Sequence, residues 1–354
     1  MPYVKPSRLY AYAKLIIAKM GSREEEAHEV ADHLVRANLA GHDSHGIGML
    51  PSYVEMFEKG LWIPNQTLTT VADAGALLIF EAARGAGQSM AAEATRRGIA
   101  RARELGTCAI ALRHSSHIGR IGTYGEQAAA EGMAFVAFVN VADHAPWVAT
   151  YGGSDPRLGT NPFCAAVPGE GGTPLVLDMA TSAIAFGKAR VARNKGVPVP
   201  DNSLIDERGN ATNDPLPIVD HHKGALLPFG LHKGSGLAIM CEILGAALIG
   251  GQTIVQEKKE GIVNNMLAFI VDTTRFGGGD AIRREIDGVK GWIKAAPPAP
   301  GFDEVLLPGE PERRTADHRG AEGIPVDDKS WADIEHSARR LGLQDAEIDH
   351  ALHG

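Results

Sequence analysis

Strands and helices both recur along the chain, and this alternation predicts an α/β or α+β fold. Apolar, β-compatible runs at residues 133–141 and before Asp178 predict strands, and residues 232–248 predict a helix. Several strands lack a following crossover helix, which disfavours a purely parallel, doubly wound sheet. No GxGxxG follows a strand and no GxxxxGK[ST] is present, so the sequence also disfavours a Rossmann domain and a P-loop.

Length and charge restrict the classes of partner. The chain has 354 residues, enough for two or three domains, and a formal net charge of −8. This charge argues against nucleic acid as the main partner, because phosphate binding needs clustered Lys and Arg. No run approaches the ~20 apolar residues that span a bilayer, and no signal-peptide pattern is present, so we expect no membrane association.

The three cysteines lie among apolar or small neighbours, which predicts buried, unpaired thiols. They are Cys108, Cys164 and Cys241. Free thiols suit a reducing compartment. With a sequence pI of about 6.0 and no targeting signal, we expect a cytoplasmic location.

The first part of the chain predicts two helices and then a glycine-rich turn. Residues 6–20 predict the first helix, and the second begins with Ser22 and Glu25 at the spacing of a capping box. Gly41 is a stop signal for this helix. The stretch GHDSHGIGM then places two histidines, an aspartate and a serine among three glycines. Glycine lets a ligand approach the backbone closely, so we predict a functional turn here.

Two loops share a Ser–His pair followed closely by glycine, at residues 44–46 and 116–119. Histidine exchanges a proton near neutral pH, which favours His45 and His117 as acid/base groups. The spacings of His42 from His45 and of His114 from His117 also permit metal ligands, and a metal-dependent hydrolase or lyase stays open. Against a metal, neither HExxH nor a carboxylate-rich partner motif is present, and a serine hydrolase would need GxSxG.

Other segments could bind anions or a small ligand. Lys233 precedes a glycine-rich helix start that suits a phosphate, although a capped turn explains the same pattern. Thr160 and Asn161 could contact a ligand, although an Asn-Pro turn accounts for them equally. Lys188 and Arg190 belong to a basic cluster that could hold a carboxylate, or could be a solvated face.

The motifs DSHG, RHSSHIGRIG, LGTNPF, LVLDMATS followed by FGK, and LLPFGLHKGSGLA occur in this order. Because of these motifs and their order, the chain resembles the malate/L-lactate dehydrogenase family over nearly its whole length. The resemblance implies a non-Rossmann α/β fold, with a central mixed or largely antiparallel sheet domain at 116–289. It also implies a helix-rich domain built from both termini, 1–115 with 290–354, and a homodimer.

The resemblance further implies an NAD(P)-dependent 2-hydroxycarboxylate dehydrogenase. Such an enzyme transfers hydride between NAD or NADP and a 2-oxo or 2-hydroxy acid, or reduces a cyclic imine acid in some members. The catalytic residues implied are Ser44, His45 and His117. The cofactor-binding residues implied are His45, Gly119, Arg120, Ile121, Asp178, Met179, Lys233, Gly309 and Glu310. The substrate-binding residues implied are Met49, Tyr53 and Thr160, and no metal is implied. A non-catalytic binding homologue is the remaining alternative.

Met49 departs from the pattern of many family members, which read SHGxxR. That arginine is a candidate partner for the substrate carboxylate. Here the cation must come from elsewhere, with Arg120, Lys188 and Arg190 as options. Otherwise the site prefers a bulkier, more apolar 2-oxo acid.

Overall fold

The computed structural model describes residues 3–255, 260–277 and 279–353. Its strands are β1 (Tyr3–Val4), β2 (Thr69–Asp73), β3 (Leu77–Glu81), β4 (Thr107–Ser115), β5 (Met133–Ala142), β6 (Val148–Ala149), β7 (Pro156–Leu158), β8 (Phe163–Val167), β9 (Leu175–Met179), β10 (Leu204–Ile205), β11 (Ala211–Thr212), β12 (Ala225–Leu226), β13 (Val263–Asp272) and β14 (Ile324–Pro325). Its helices are α1 (Pro6–Lys19), α2 (Glu24–Leu39), α3 (Leu50–Glu58), α4 (Gly87–Leu105), α5 (Gly122–Ala130), α6 (Phe186–Lys195), α7 (Leu216–Asp220), α8 (His232–Glu242), α9 (Gly279–Lys294), α10 (Glu310–Glu322), α11 (Asp328–Arg340) and α12 (Asp345–His353).

A seven-stranded sheet forms the centre of the fold, in the order β2-β3-β4-β13-β5-β8-β9. Only β3 and β4 run parallel, and the other neighbours are antiparallel. The sheet is therefore mixed and largely antiparallel, as predicted. Because β4 leads into the loop that carries His117, one end of this sheet positions a candidate site residue.

The described residues form two large apolar cores and three smaller apolar clusters. Residues of α4 and α5 pack on the central sheet, with buried side chains that alternate along β4 and β5 as expected for strands with one face in a core. The second core joins α1–α3 to residues 324–352, and β1 pairs with β14. Both termini therefore share one helical core. The β2–β4 segment, in the predicted range 1–115, belongs to the central sheet, and the domain boundaries stay a prediction.

The structure corrects two local expectations. The predicted capping box at Ser22 is wrong. The N-cap of α2 is Arg23, whose side chain makes no capping hydrogen bond, and the Ser22 hydroxyl donates to Glu26 over 2.6 Å. The segment expected to be irregular contains β10, β11, α7 and β12, which are too short for a periodic signal. The expected helix at 232–248 is confirmed, with a π-helical stretch at Ile243–Ala247.

The prediction of buried thiols is confirmed, because all three cysteines are free and buried. Within the described ranges, no helix has both the length and the apolar character that a membrane crossing requires.

Candidate active site

His45 lies in a short 3₁₀ turn after α2, the His45 turn (residues 42–46). Asn38, at the end of α2, donates to Asp43 over 2.7 Å and accepts from the Ile47 N–H over 2.8 Å. Glycine is favoured at position 46, because a Cβ there would overlap the Asn38 amide unless that side chain moved. The turn therefore packs directly on α2, and it holds Ser44 Oγ 3.0 Å from Nδ1 of His45.

His117 lies in the His117 loop (residues 116–121), between β4 and α5. Its backbone is held by side chains distant in sequence: Ile118 N–H donates to Asn264 over 2.9 Å, and Arg120 N–H donates to His33 Nε2 over 2.9 Å. Gly119 has a φ of +72°, and a Cβ on it would overlap His33. These contacts fix the loop in one conformation within the protein interior.

The two candidate catalytic histidines meet. Their rings are stacked with centroids 5.5 Å apart and an interplanar angle of 21°. Tyr53 lies behind His117, with its hydroxyl 2.7 Å from Nδ1, and Gln88 donates to that hydroxyl over 2.6 Å. Tyr53 is fully buried and His117 is 9% exposed, whereas Ser44 is exposed. Sequence reasoning found His45, His117 and Tyr53 but missed Gln88.

Burial determines the protonation states of His45, His117 and Tyr53. It lowers the pKa of His45 to about 4, aided by the nearby charges of His42 and Arg120. Burial and the neighbouring histidines also hold the pKa of His117 well below its ordinary value. Burial raises the pKa of the Tyr53 hydroxyl. At neutral pH the site thus contains two neutral imidazoles and a protonated phenol, all able to donate a hydrogen bond.

Arg120 is engaged by two carboxylates. Its guanidinium lies 2.7 Å from Glu126 and 3.7 Å from Asp178, with its side chain 3% exposed. Asp178 also accepts from the Gly122 N–H over 2.7 Å, and burial raises its pKa. Because its charge is compensated, Arg120 is a poor candidate for the cation that binds a substrate carboxylate.

Gly309 and Glu310, which the sequence predicts to contact the cofactor, lie at the start of α10 beside β9. Gly309 has a φ of +87°, and Pro308 accepts from the Val176 N–H over 3.4 Å. Glu310 pairs with Lys294 over 2.8 Å. The structure therefore brings this segment to the strand that ends at Asp178 and Met179.

Lys233 and Thr160 lie at or near α8, away from the paired histidines. Lys233 is exposed in the first turn of α8. The carbonyl of Thr160 accepts from Thr181, and the next residue, Asn161, donates to the Ala238 carbonyl of α8 over 3.1 Å. No described contact joins Lys233 to either catalytic histidine. Met49 packs against the terminal core, one helical turn before Tyr53.

The start of α6 adjoins the His45 turn. A Cβ on Gly187 would lie 3.4 Å from the Cβ of Ser44, and the next residue, Lys188, is exposed. Among the residues that the structure describes, no group of three His, Cys, Asp or Glu side chains could hold a metal ion.

Comparison with known proteins identifies the family of the chain. Residues 4–335 match the family model described as malate/L-lactate dehydrogenase. Hydroxycarboxylate dehydrogenase B of Escherichia coli (strain K12) is 46% identical, over 95% of this chain and 93% of its own. L-lactate dehydrogenase of Cupriavidus necator is 38% identical, over 94% and 95%. A solved Escherichia coli structure, assigned as a malate/lactate dehydrogenase, matches 99% of this chain and 98% of its own, with a TM-score of 0.95 and 44% identity. The fold and the resemblance predicted from sequence are confirmed, and the chain belongs to the malate/L-lactate dehydrogenase family.

Proposed function

We propose that the chain is a dehydrogenase that transfers hydride between NAD or NADP and a 2-oxo or 2-hydroxy acid. The observation that carries this proposal is the stacked pair of neutral histidines, His45 and His117, beside the Gly119–Ile121 turn. Two positioned donors of this kind suit the oxygen of a ketone that becomes an alcohol. Membership of the family supports oxidoreductase chemistry at a CH–OH carbon.

The residues around this turn fit a nicotinamide dinucleotide. Gly119, with a φ of +72° and with His33 in the place of a side chain, holds this turn in one conformation beside the two histidines. At the start of α5, the buried hydroxyl of Thr123 has no hydrogen-bond partner among the described residues. A helix start with an unpaired donor suits a phosphate, and the nearby Asp178 suits ribose hydroxyls. When bound, the cofactor supplies the hydride chemistry, and the protein supplies orientation and hydrogen bonds.

Lys188 is our candidate for the substrate carboxylate. Arg120 is already paired with Glu126 and Asp178, while Lys188 follows Gly187, which adjoins Ser44. An exposed ammonium on a flexible stem can reach an anion that enters beside the His45 turn. Lys188→Met should therefore raise KM for the 2-oxo acid with a smaller effect on kcat. Lys223→Met, which removes an exposed lysine paired with Glu207, is the control.

The substrate class follows from Met49. A methionine offers a flexible apolar contact where many family members have arginine, so we propose a preference for larger, more apolar 2-oxo acids. The test is oxidation of NADH and of NADPH with 2-oxoglutarate, phenylpyruvate, hydroxyphenylpyruvate, oxaloacetate, pyruvate and a cyclic imine acid. Preference for the aromatic acids supports the role of Met49. Exclusive turnover of the imine would replace the 2-oxo acid with that substrate class.

The metal-dependent hydrolase or lyase is tested in the same assay. Oxidation of NADH or NADPH that survives a chelator opposes it, because a metal-dependent hydrolase or lyase oxidises neither cofactor. If the folded protein binds neither reduced cofactor in a fluorescence titration, the dehydrogenase proposal fails.

We further propose a homodimer. Along α9, Val289, Trp292 and Ile293 share one face at helical spacing and are exposed, with Trp292 84% exposed. A contiguous apolar face of this kind is typical of a protein interface. Light scattering should show a dimer, and Trp292→Glu should shift it toward monomer. Leu105→Glu introduces the same charge at an exposed apolar residue outside this face and should not shift the dimer.

The cytoplasm is the compartment we propose for the enzyme. The three free thiols support it, because an oxidising compartment would expose them to pairing during folding. Cell fractionation with an antibody tests this location.

A further inference from the structure

Two buried polar residues hold His117 from behind. Gln88 Nε2 donates to the Tyr53 hydroxyl over 2.6 Å, and that hydroxyl lies 2.7 Å from Nδ1 of His117. Tyr53 is fully buried and Gln88 is 1% exposed, so water does not compete for these contacts. The hydroxyl oxygen already accepts from Gln88, so its single hydrogen is directed at His117 Nδ1.

We propose that Gln88 and Tyr53 are positioning residues that fix His117 as the Nε2–H tautomer, and so make it a hydrogen-bond donor to the substrate oxygen. A neutral imidazole carries one ring hydrogen. If Nδ1 accepts from Tyr53, that hydrogen must be on Nε2, the atom directed away from Tyr53. The direction of the hydrogen bond from Gln88 therefore determines what His117 can do to a ligand.

This assignment gives the two histidines different tasks. In reduction a bound reduced nicotinamide would supply hydride to the carbonyl carbon, the π electrons of the carbonyl would move to its oxygen, and that oxygen would need one proton from the protein. His117 stabilises charge on that oxygen and keeps its own proton, because replacing it from Tyr53 would leave a buried tyrosinate, and burial raises the Tyr53 pKa. The proton passes through His45: solvent that reaches the turn at Ser44 protonates the neutral ring, and the resulting imidazolium gives this proton to the oxygen and becomes neutral again. A bound carboxylate beside His45 favours its protonated form.

The first test reads the tautomer directly. Nitrogen NMR of isotope-labelled histidine rings distinguishes Nε2–H from Nδ1–H, and the spectrum of His117→Asn identifies the His117 signals. We expect the Nε2–H form in the unmodified protein. The Nδ1–H form would mean that the Gln88 amide is oriented the other way, and it would overturn the proposal.

The second test reverses the hydrogen bonds. In Gln88→Glu, measured at a pH high enough to ionise the buried carboxyl group, the new carboxylate only accepts, so Tyr53 must donate to it and can only accept from His117. His117 should then change to Nδ1–H, and kcat should fall by about 10²-fold, the usual cost of one lost donor to an oxyanion. KM for the 2-oxo acid should change by less than about twofold, because the donor acts mainly in the transition state. Gln88→Leu leaves Tyr53 free to donate, so the tautomer should persist and kcat should fall less.

Equal loss of kcat in Gln88→Glu and Gln88→Leu, with an unchanged tautomer, would make Gln88 merely structural and overturn the proposal. If Gln88→Glu does not fold, Tyr53→Phe supplies the test, since Nδ1 then loses its donor and a mixture of tautomers is expected. A single unchanged Nε2–H form in Tyr53→Phe would equally contradict the assignment.

A matched pair elsewhere in the chain provides the control. The Tyr10 hydroxyl also lies 2.7 Å from a histidine Nδ1, that of His28, but on the exposed surface of α1 and α2. Tyr10→Phe should leave kcat and the His117 tautomer unchanged. The kinetic readout rests on the proposed function, whereas the tautomer readout does not. An inactive protein with the expected tautomer would thus contradict only the proposed function.

Discussion

The His45 turn and the His117 loop hold two histidines of one site in opposite ways. The His117 loop is buried, and its backbone donors end on His33 and Asn264, side chains within the two cores. The His45 turn has exposed residues at Asp43 and Ser44 and is held at its edge by the surface pair of Asp43 with Arg319. From this difference we propose that one site combines a rigid hydrogen-bond donor, His117, with a group that exchanges protons with water, His45.

Removing the histidines should have the largest effect on activity. His117→Asn and His45→Asn should each lower turnover by about 10²–10⁴-fold, the usual contribution of a positioned acid or base. The two should differ in pH dependence, because His45 alone is proposed to carry the transferred proton. His28→Asn, on the exposed face of α2, is the control. If neither site variant slows turnover while both remain folded, the roles assigned to these histidines are wrong.

Glycine replacement should test how tightly each segment is packed. Gly119→Ala meets His33 and requires a φ of +72°, whereas Gly46→Ala meets only the Asn38 side chain at an ordinary φ of −89°. Each should lower the free energy of unfolding by about 1–3 kcal/mol, with Gly119→Ala the larger because of the added backbone strain. Denaturant unfolding measures this, and Gly288→Ala in α9, with open space around it, is the control.

The helices and strands could be predicted from the sequence more fully than the residues that hold the site histidines in place. The apolar run at 133–141 matches β5, and the helix expected at 6–20 matches α1, because periodicity is a local property. His45 and His117 were visible because each lies in a distinctive local motif.

Gln88, His33 and Asn264 were not predicted, because their roles arise from contacts across 35, 87 and 146 residues of sequence. Gln88 in GAGQS gives one faint signal, a large polar side chain among small residues at a helix start. Nothing in that segment points to Tyr53. Partners at such separations follow from the packing of whole elements, which local patterns do not specify.

His33 should make the stability of the His117 loop depend on pH. Its Nε2 accepts from Arg120 only when neutral, and burial lowers its pKa to about 3, aided by the charges of Arg36 and Arg120. The unfolded chain takes up a proton near the ordinary pKa of about 6.5, so it binds more protons than the folded chain below that pH. Stability should therefore fall as the pH is lowered from about 6.5 toward 3.

Substitution of His33 isolates this contribution. In His33→Gln, the amide oxygen can still accept from Arg120 but does not titrate, so the loss of stability below about pH 6.5 should become shallower. His33→Leu should cost about 1–3 kcal/mol at neutral pH, because the Arg120 N–H loses its acceptor. Urea unfolding at several pH values gives both quantities. An unchanged pH slope in His33→Gln would exclude His33 as the responsible group.

The smallest effect should come from the edge of the His45 turn. Arg319 lies 2.6 Å from Asp43 and also donates to the Asn38 carbonyl, but the Asp43 side chain is half exposed, and exposed ion pairs contribute only about 0–1 kcal/mol. Arg319→Ala should therefore lower the free energy of unfolding by about 1 kcal/mol, with the ion-pair part smaller at high salt. A loss as large as that of Gly119→Ala would mean that the two histidines are held equally firmly. The contrast between the rigid loop and the solvent-linked turn would then have to rest on the chemistry of the rings alone.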